Sequence, residues 1–260
     1  MSPKIAPLQV GIDGMPPPDG ADIAFLWETS TTQKYTLGQR VAVSNGMVFH
    51  YAYALTALVA NEFAFTATRA AGYSEIATIG CTAGAIGDMS VEILVNTALS
   101  ITENQFQGGY WCISSQTASL SSLQTLFIKS HPAGTKNTKC VLQLHNPLLH
   151  VVNSRSQGCM VQNPFWGVQA TQGEVYVPIG MAVTTVAATS YCWLQTWGPN
   201  GIRCEAGTPA TTACNLTVGS TAGSVASAVN LSLYPLVGVA GGNTTGLNNQ
   251  LIEGWIRCCP

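Results

Sequence analysis

The chain has 260 residues, enough for one large β unit or two smaller domains with cores of their own. Only 8% of the residues are charged, against about a quarter in an ordinary soluble domain, and the net charge is -2. Ten Lys and Arg are scattered with no basic stripe, which argues against nucleic acid as a partner, and a surface so poor in charge points to contact with other chains. The longest weakly polar windows, Tyr51 to Ala60 and Met181 to Tyr191, are too short to span a bilayer, so no membrane partner is expected. The first ten residues, Met1 to Val10, hold no apolar run of signal-peptide length, and the expectation is a chain made in a cytosol.

Residues 1–36 differ from the rest. Met15-Pro16-Pro17-Pro18-Asp19-Gly20 is an extended polyproline stretch without a core pattern. Four of the twelve acidic residues, Asp13, Asp19, Asp22 and Glu28, lie here. So do Ile23, Phe25, Leu26 and Trp27, apolar anchors for which a solvated tail has little use. The segment is predicted to be an extended N-terminal arm that orders against a neighbouring subunit.

From Leu37 the pattern is β, and a first β domain is predicted over 37–157. Gln39 to Ser44 and Met47 to Tyr53 flank Asn45-Gly46, the strongest short hairpin signal, because a type I′ turn needs positive φ at both central residues. Met47, Phe49, Tyr51 and Tyr53 share the predicted core face, opposite Val48, His50 and Ala52. Further strands are predicted over 62–68, 89–95, 108–115, 123–130, 139–144 and 148–152, with a polar connection and one helical turn over 101–106.

A second β domain with a C-terminal strand is predicted over 158–260. Its strands cover 159–162, 165–169, three runs between 177 and 220, and 225–233, 236–240 and 251–257. The densest run is Tyr191-Cys192-Trp193-Leu194-Gln195-Thr196-Trp197, which meets a turn signal at Gly198-Pro199-Asn200-Gly201. Trp193 and Trp197 are predicted in its core, with Phe49 and Tyr51 packing the first domain. Short strands with Gly, Pro, Asn and Thr between them and no sustained helical period define the fold class: mainly β, with sandwich- or barrel-like blocks.

Candidate chemistry is sparse. The four histidines, His50, His131, His145 and His150, have no adjacent carboxylate or Cys and read as polar residues at strand ends. Gly80 to Gly87 superficially resembles a glycine loop but lacks the Lys and the helix that phosphate binding needs. No carboxylate is flanked by the aromatic and amide cluster of a sugar cleft. The nine cysteines include no C-x-x-C pair and read mostly as small buried hydrophobes, with one disulfide open among Cys204, Cys214, Cys258 and Cys259. No catalytic residue, cofactor or metal is expected.

One resemblance joins these stretches. Thr36-Leu-Gly-Gln-Arg-Val-Ala-Val-Ser-Asn-Gly-Met-Val-Phe-His-Tyr-Ala52 resembles the hairpin that follows an N-terminal arm in structural proteins of tailed bacteriophages. Three later stretches are similar to that family in the same order. They are Thr102 to Tyr110; Ile128 to His131, with Leu142 to Leu148 and Asn163 to Val168 after it; and Pro178 to Val183, leading into Tyr191 to Pro199. Together they span most of the chain from Thr36 to Val239. The C-terminal run Leu251 to Pro260 and the abundance of cysteine depart from the family.

The resemblance implies a virion protein on the capsid surface, of the decoration or cement type. Its implied partners are the major capsid protein and copies of itself in a dimer or trimer. The residues expected at capsid or subunit contacts are Ile23, Phe25, Leu26 and Trp27 of the arm and Trp255 and Ile256 near the C-terminus, since aromatic side chains are favoured interface anchors. Deleting residues 1–28 is accordingly expected to leave the β body folded and weaken capsid attachment. Two other classes stay open: a carbohydrate- or host-binding β module of a head or tail fibre, and a shell-forming capsid subunit.

Overall fold

A computed structural model describes residues 9–10, 24–43, 46–66, 81, 83–95, 100–114, 123–154, 156–170, 177–204, 215–218, 224–227, 236–240 and 251–258. The chain is mainly β, as expected. In order, the strands are β1 (Gln9–Val10), β2 (Arg40–Ala42), β3 (Val48–Ala54), β4 (Phe63–Phe65), β5 (Ala83–Gly84), β6 (Ser90–Leu94), β7 (Tyr110–Ser114), β8 (Leu123–Ser130) and β9 (Lys139–Leu144). They continue with β10 (Val152–Asn153), β11 (Gln157–Val161), β12 (Trp166–Val168), β13 (Pro178–Ala182), β14 (Ser190–Arg203), β15 (Asn215–Val218), β16 (Val225–Ser227), β17 (Leu236–Ala240) and β18 (Leu251–Arg257). A 3-10 turn, Ala24–Trp27, is the one helical element among the described residues. Of the predicted arm, most of residues 1–23 lie outside the described set, and Gln9–Val10 pairs with β2 of the same chain.

Two compact units are present: Met1–Thr68 with Pro164–Pro260, and Arg69–Asn163. This division differs from the sequential one expected at residue 157. The reason is long-range pairing. β3, assigned from sequence to the first domain, runs antiparallel to β14, assigned to the second, and parallel to β12.

The discontinuous unit is built around β14. The turn expected at Gly198 to Gly201 does not form; the strand continues through it for 14 residues. Gly198 makes this possible at φ 102°, with a register shift between Gln195 and Trp197. A Cβ on Gly198 would lie 2.9 Å from the Gly46 carbonyl and the Met47 Cα, so the close approach requires glycine. Before the bulge β14 has β3 along one edge and β13 along the other; beyond it, β18 takes over. The sheet then extends through β17, β15 and β16 on one side and through β2 and β1 on the other.

The β2–β3 hairpin forms, with Val41 opposite Phe49. The Val43 N–H donates to the Met47 carbonyl, and Gly46 sits at φ 85°, so the connection is one residue longer than the expected two-residue turn. Phe49 and Tyr51 are buried with Phe25, Leu26, Val41 and Trp193. The opposite face is covered as well. Ala52, Ala54, Cys192 and Leu194 pack there with Phe165 and Val168. A third cluster joins Phe63, Met181, Ile202, Leu216, Val237 and Ile256.

The inserted unit carries a five-stranded antiparallel sheet in the order β11-β7-β8-β9-β6. Strict alternation in β9 buries Cys140, Leu142 and Leu144 and exposes the residues between them. Trp111, Ile113, Leu126, Ile128, Val91, Ile93 and Met160 complete that core. The strand expected at 148–152 is reduced to Val152–Asn153, paired with β5. The Gln124 amide explains the loss. Its Oε1 accepts the N–H groups of Leu149 and His150 at 2.9 and 3.3 Å, and its Nε2 donates to the His150 carbonyl. That side chain replaces a strand partner and holds the segment curled around the buried Leu148.

Candidate functional site

The expected contact residues fall into two groups. Phe25 and Leu26 are spent inside this chain. Phe25 meets Trp193 edge-on at 5.6 Å, and Leu26 is fully buried. Backbone hydrogen bonds between Ser30 and Tyr191 in both directions, at 3.1 and 2.7 Å, pin the following segment to the start of β14. Ile256 is fully buried beneath β18. None of these three is free to anchor a neighbour, and a deletion through residue 28 would remove part of the core rather than a detachable arm. Trp27 and Trp255 do face solvent, 43% and 40% exposed. Ile23 lies outside the described residues.

Around Trp255 the strand registers assemble an apolar surface. Pro199 and Val239 are its cross-strand partners on β14 and β17. Trp197, half-buried rather than in the core as expected, stands edge-on to Trp255 at 6.5 Å and 88°. Gly201 adds no side chain, and Leu251, 56% exposed, lies beside it. The result is a short cross-strand row of Pro199, Trp255 and Val239 on the outer face of the β14–β18–β17 sheet, with Glu253 and Arg257 at the flanking positions of that face of β18. Trp193 is buried, so it forms no exposed pair with Trp197.

A second row lies on the outer face of the inserted unit, and the sequence reading missed it. Val161, Tyr110 and Phe127 are successive cross-strand partners on β11, β7 and β8. The Tyr110 and Phe127 rings are 4.7 Å apart, and Phe127 and Val161 are 43% and 39% exposed. An antiparallel sheet with one wet face normally alternates apolar and polar residues. The run Leu126-Phe127-Ile128 breaks that alternation, which was the available signal.

The titratable groups serve the fold. His50 is buried mid-strand, not at a strand end. Its ring stacks on Phe165 at 4.8 Å, and its Nδ1 lies 3.0 Å from Thr196 Oγ1. Burial, aided by the nearby Arg40 charge, lowers its pKa to about 4. His131 accepts the Phe106 N–H at Nε2 and donates from Nδ1 to the Pro132 carbonyl, so the ring is held neutral, and burial shifts its pKa downward. His145 and His150 are exposed. Glu62, buried, pairs with Arg203. Among the described residues no group of three His, Cys, Asp or Glu is placed to hold a metal ion.

A shallow notch open to solvent is lined by Phe25, Tyr35, Tyr51, Tyr191 and Trp193, with the Lys34–Glu28 ion pair at its rim. The Lys34 N–H donates to the Tyr51 hydroxyl at 3.1 Å, which fixes that ring in the wall. Of the four cysteines among which one disulfide was open, Cys204 is buried and Cys258 partly buried, while Cys214 and Cys259 lie outside the described residues. Compared with known proteins, the chain matches no protein-family description, no curated protein and no solved structure.

Proposed function

We propose that this chain is a structural protein of a tailed-bacteriophage virion that binds the outside of the capsid and holds major capsid subunits together. The observation that carries the contact part is the pair of outward apolar rows, Trp255 with Pro199 and Val239, and Phe127 with Tyr110 and Val161. In a chain with 8% charged residues, contiguous apolar surface of this kind marks a protein-contact face. The virion part rests on the ordered resemblance from Thr36 to Val239. Each contact removes apolar area from water at roughly 25 cal/mol per Å², less the cost of association, and repetition over many copies makes modest contacts effective. Partners are the major capsid protein and further copies of this chain, and the rows act by burial rather than by reaction chemistry. The burial of Trp193, which leaves no exposed Trp193–Trp197 shelf, supports this reading over a glycan-binding module.

The test compares the full chain with Trp255→Ser and Phe127→Ser for occupancy on capsids assembled without it. Both side chains are solvent-facing, so circular dichroism should be unchanged. Loss of a contact anchor worth about 2 kcal/mol lowers affinity roughly 30-fold. Wild-type occupancy by both variants, or no binding by the wild type, contradicts the proposal.

A further inference from the structure

Two cysteines of the inserted unit stand directly opposite one another. β11 and β7 run antiparallel with Cys159 as the partner of Cys112. Directly opposed residues in such a pair have Cα atoms ~4.5–5.5 Å apart, within the ~4.4–6.8 Å that a disulfide spans. Opposed Cβ atoms in such a pair lie about 4.5–5.5 Å apart against about 3.5–4.5 Å in a disulfide, so the bond needs only a small local approach of the two strands. Trp111, Ile113 and Met160 point into the core, so Cys112 and Cys159 share the outer face, where both are partly exposed. The Cys112 thiol lies near enough to Cys159 to disfavour its thiolate form. Thr125 Oγ1 donates to Cys112 Sγ at 3.7 Å from the next strand. Cys81, Cys140, Cys192 and Cys204, by contrast, are buried away from any oxidant.

We propose that Cys112 and Cys159 form a reversible disulfide across the outer face of this sheet, with a small-molecule disulfide of the glutathione class as oxidant. The chemistry balances in two exchanges. One cysteine thiolate attacks a sulfur of oxidised glutathione, a mixed disulfide forms, and one glutathione thiolate leaves. The opposed cysteine thiolate then attacks the protein sulfur of the mixed disulfide. The cross-strand bond forms and the second glutathione thiolate leaves. The protein gives up two protons and two electrons in all, and the oxidant takes up the electrons as two thiols. Burial, together with the adjacent Cys112, holds the Cys159 thiol above its ordinary range. Formation therefore accelerates with rising pH, since the thiolate is the nucleophile. In the unassembled chain, where this face is open, a reducing cell interior keeps the pair open and an oxidising medium closes it. The bond ties β7 to β11 in both the folded and the unfolded chain, and restricting the unfolded chain stabilises the sheet.

The full chain is incubated with oxidised glutathione in mildly alkaline buffer and quenched in acid. Its remaining thiols are then alkylated under denaturing conditions, and peptides are mapped by mass spectrometry. The expected result is one cross-linked peptide joining Cys112 to Cys159. The melting temperature should rise by several degrees and return on addition of a dithiol reductant. Cys112→Ser and Cys159→Ser should each abolish that shift. Absence of the Cys112–Cys159 peptide overturns the proposal, whether the thiols stay free, retain glutathione or pair elsewhere.

Discussion

His50 shows how a single buried group ties the β3–β14 pair to solution conditions. Its ring is stacked on Phe165 and hydrogen-bonded to Thr196, and burial strips a charge there of most of its hydration. In the unfolded chain it titrates near 6.5; in the folded chain its pKa is lowered to about 4. Between those values the unfolded state binds a proton that the folded state refuses. Stability is therefore full above about pH 6.5 and is lost as the pH falls toward 4. At about 1.4 kcal/mol per pKa unit the loss approaches ~3 kcal/mol, and His131 adds a contribution of the same sign. Denaturant midpoints measured across this range should fall with acid in the wild type and fall less steeply in His50→Gln. Equal slopes would contradict a neutral, buried His50. The sequence placed His50 on a strand but not in a core, because nothing local shows that both faces of β3 are covered.

At the scale of elements, β14 sets the architecture, and its most important residue is the one that looked like a terminator. A Gly-Pro-Asn-Gly run marks a turn because glycine reaches positive φ, but a bulge uses the same freedom. Sequence alone does not separate the two; the pairing of 197–203 with β18 does. Gly198→Ala should destabilise the protein by about 2–3 kcal/mol in chemical denaturation, since it adds a strained φ and a backbone clash. Gly201→Ala is the internal control: the added methyl would meet only Leu251, at 3.7 Å, and should be near neutral. Similar costs at both positions would remove Gly198 from this role. Elsewhere the elements were plainly legible. β8 and β9 lie at the expected 123–130 and 139–144, on either side of the loop His131 to Asn137, and β9 alternates strictly. The 148–152 run misled because an apolar stretch does not disclose that a side chain 25 residues earlier, Gln124, will take its hydrogen bonds.

For the whole molecule, the mainly β class was readable from composition and spacing, while the division into units was not. The pairing that defines the discontinuous unit joins residues such as His50 and Thr196, 146 positions apart, and no local pattern encodes that. Exposure was half legible. Trp255 and Trp27, named as large aromatics, do face solvent. Phe25, Leu26 and Ile256 carry the same apolar signal but spend it internally, and a hydrophobic side chain does not announce which chain it will be buried in. The Phe127 row was lost among core residues on either side of it. The central claim is that the outward rows are covered by other chains in a phage head. A cryo-electron reconstruction of the native particle, at a resolution that traces this chain, tests it most directly. The expected result is density for this chain on the outer capsid surface, with Trp255 and Phe127 against neighbouring subunits. A particle that lacks the chain, or one in which both rows face open solvent, would contradict it.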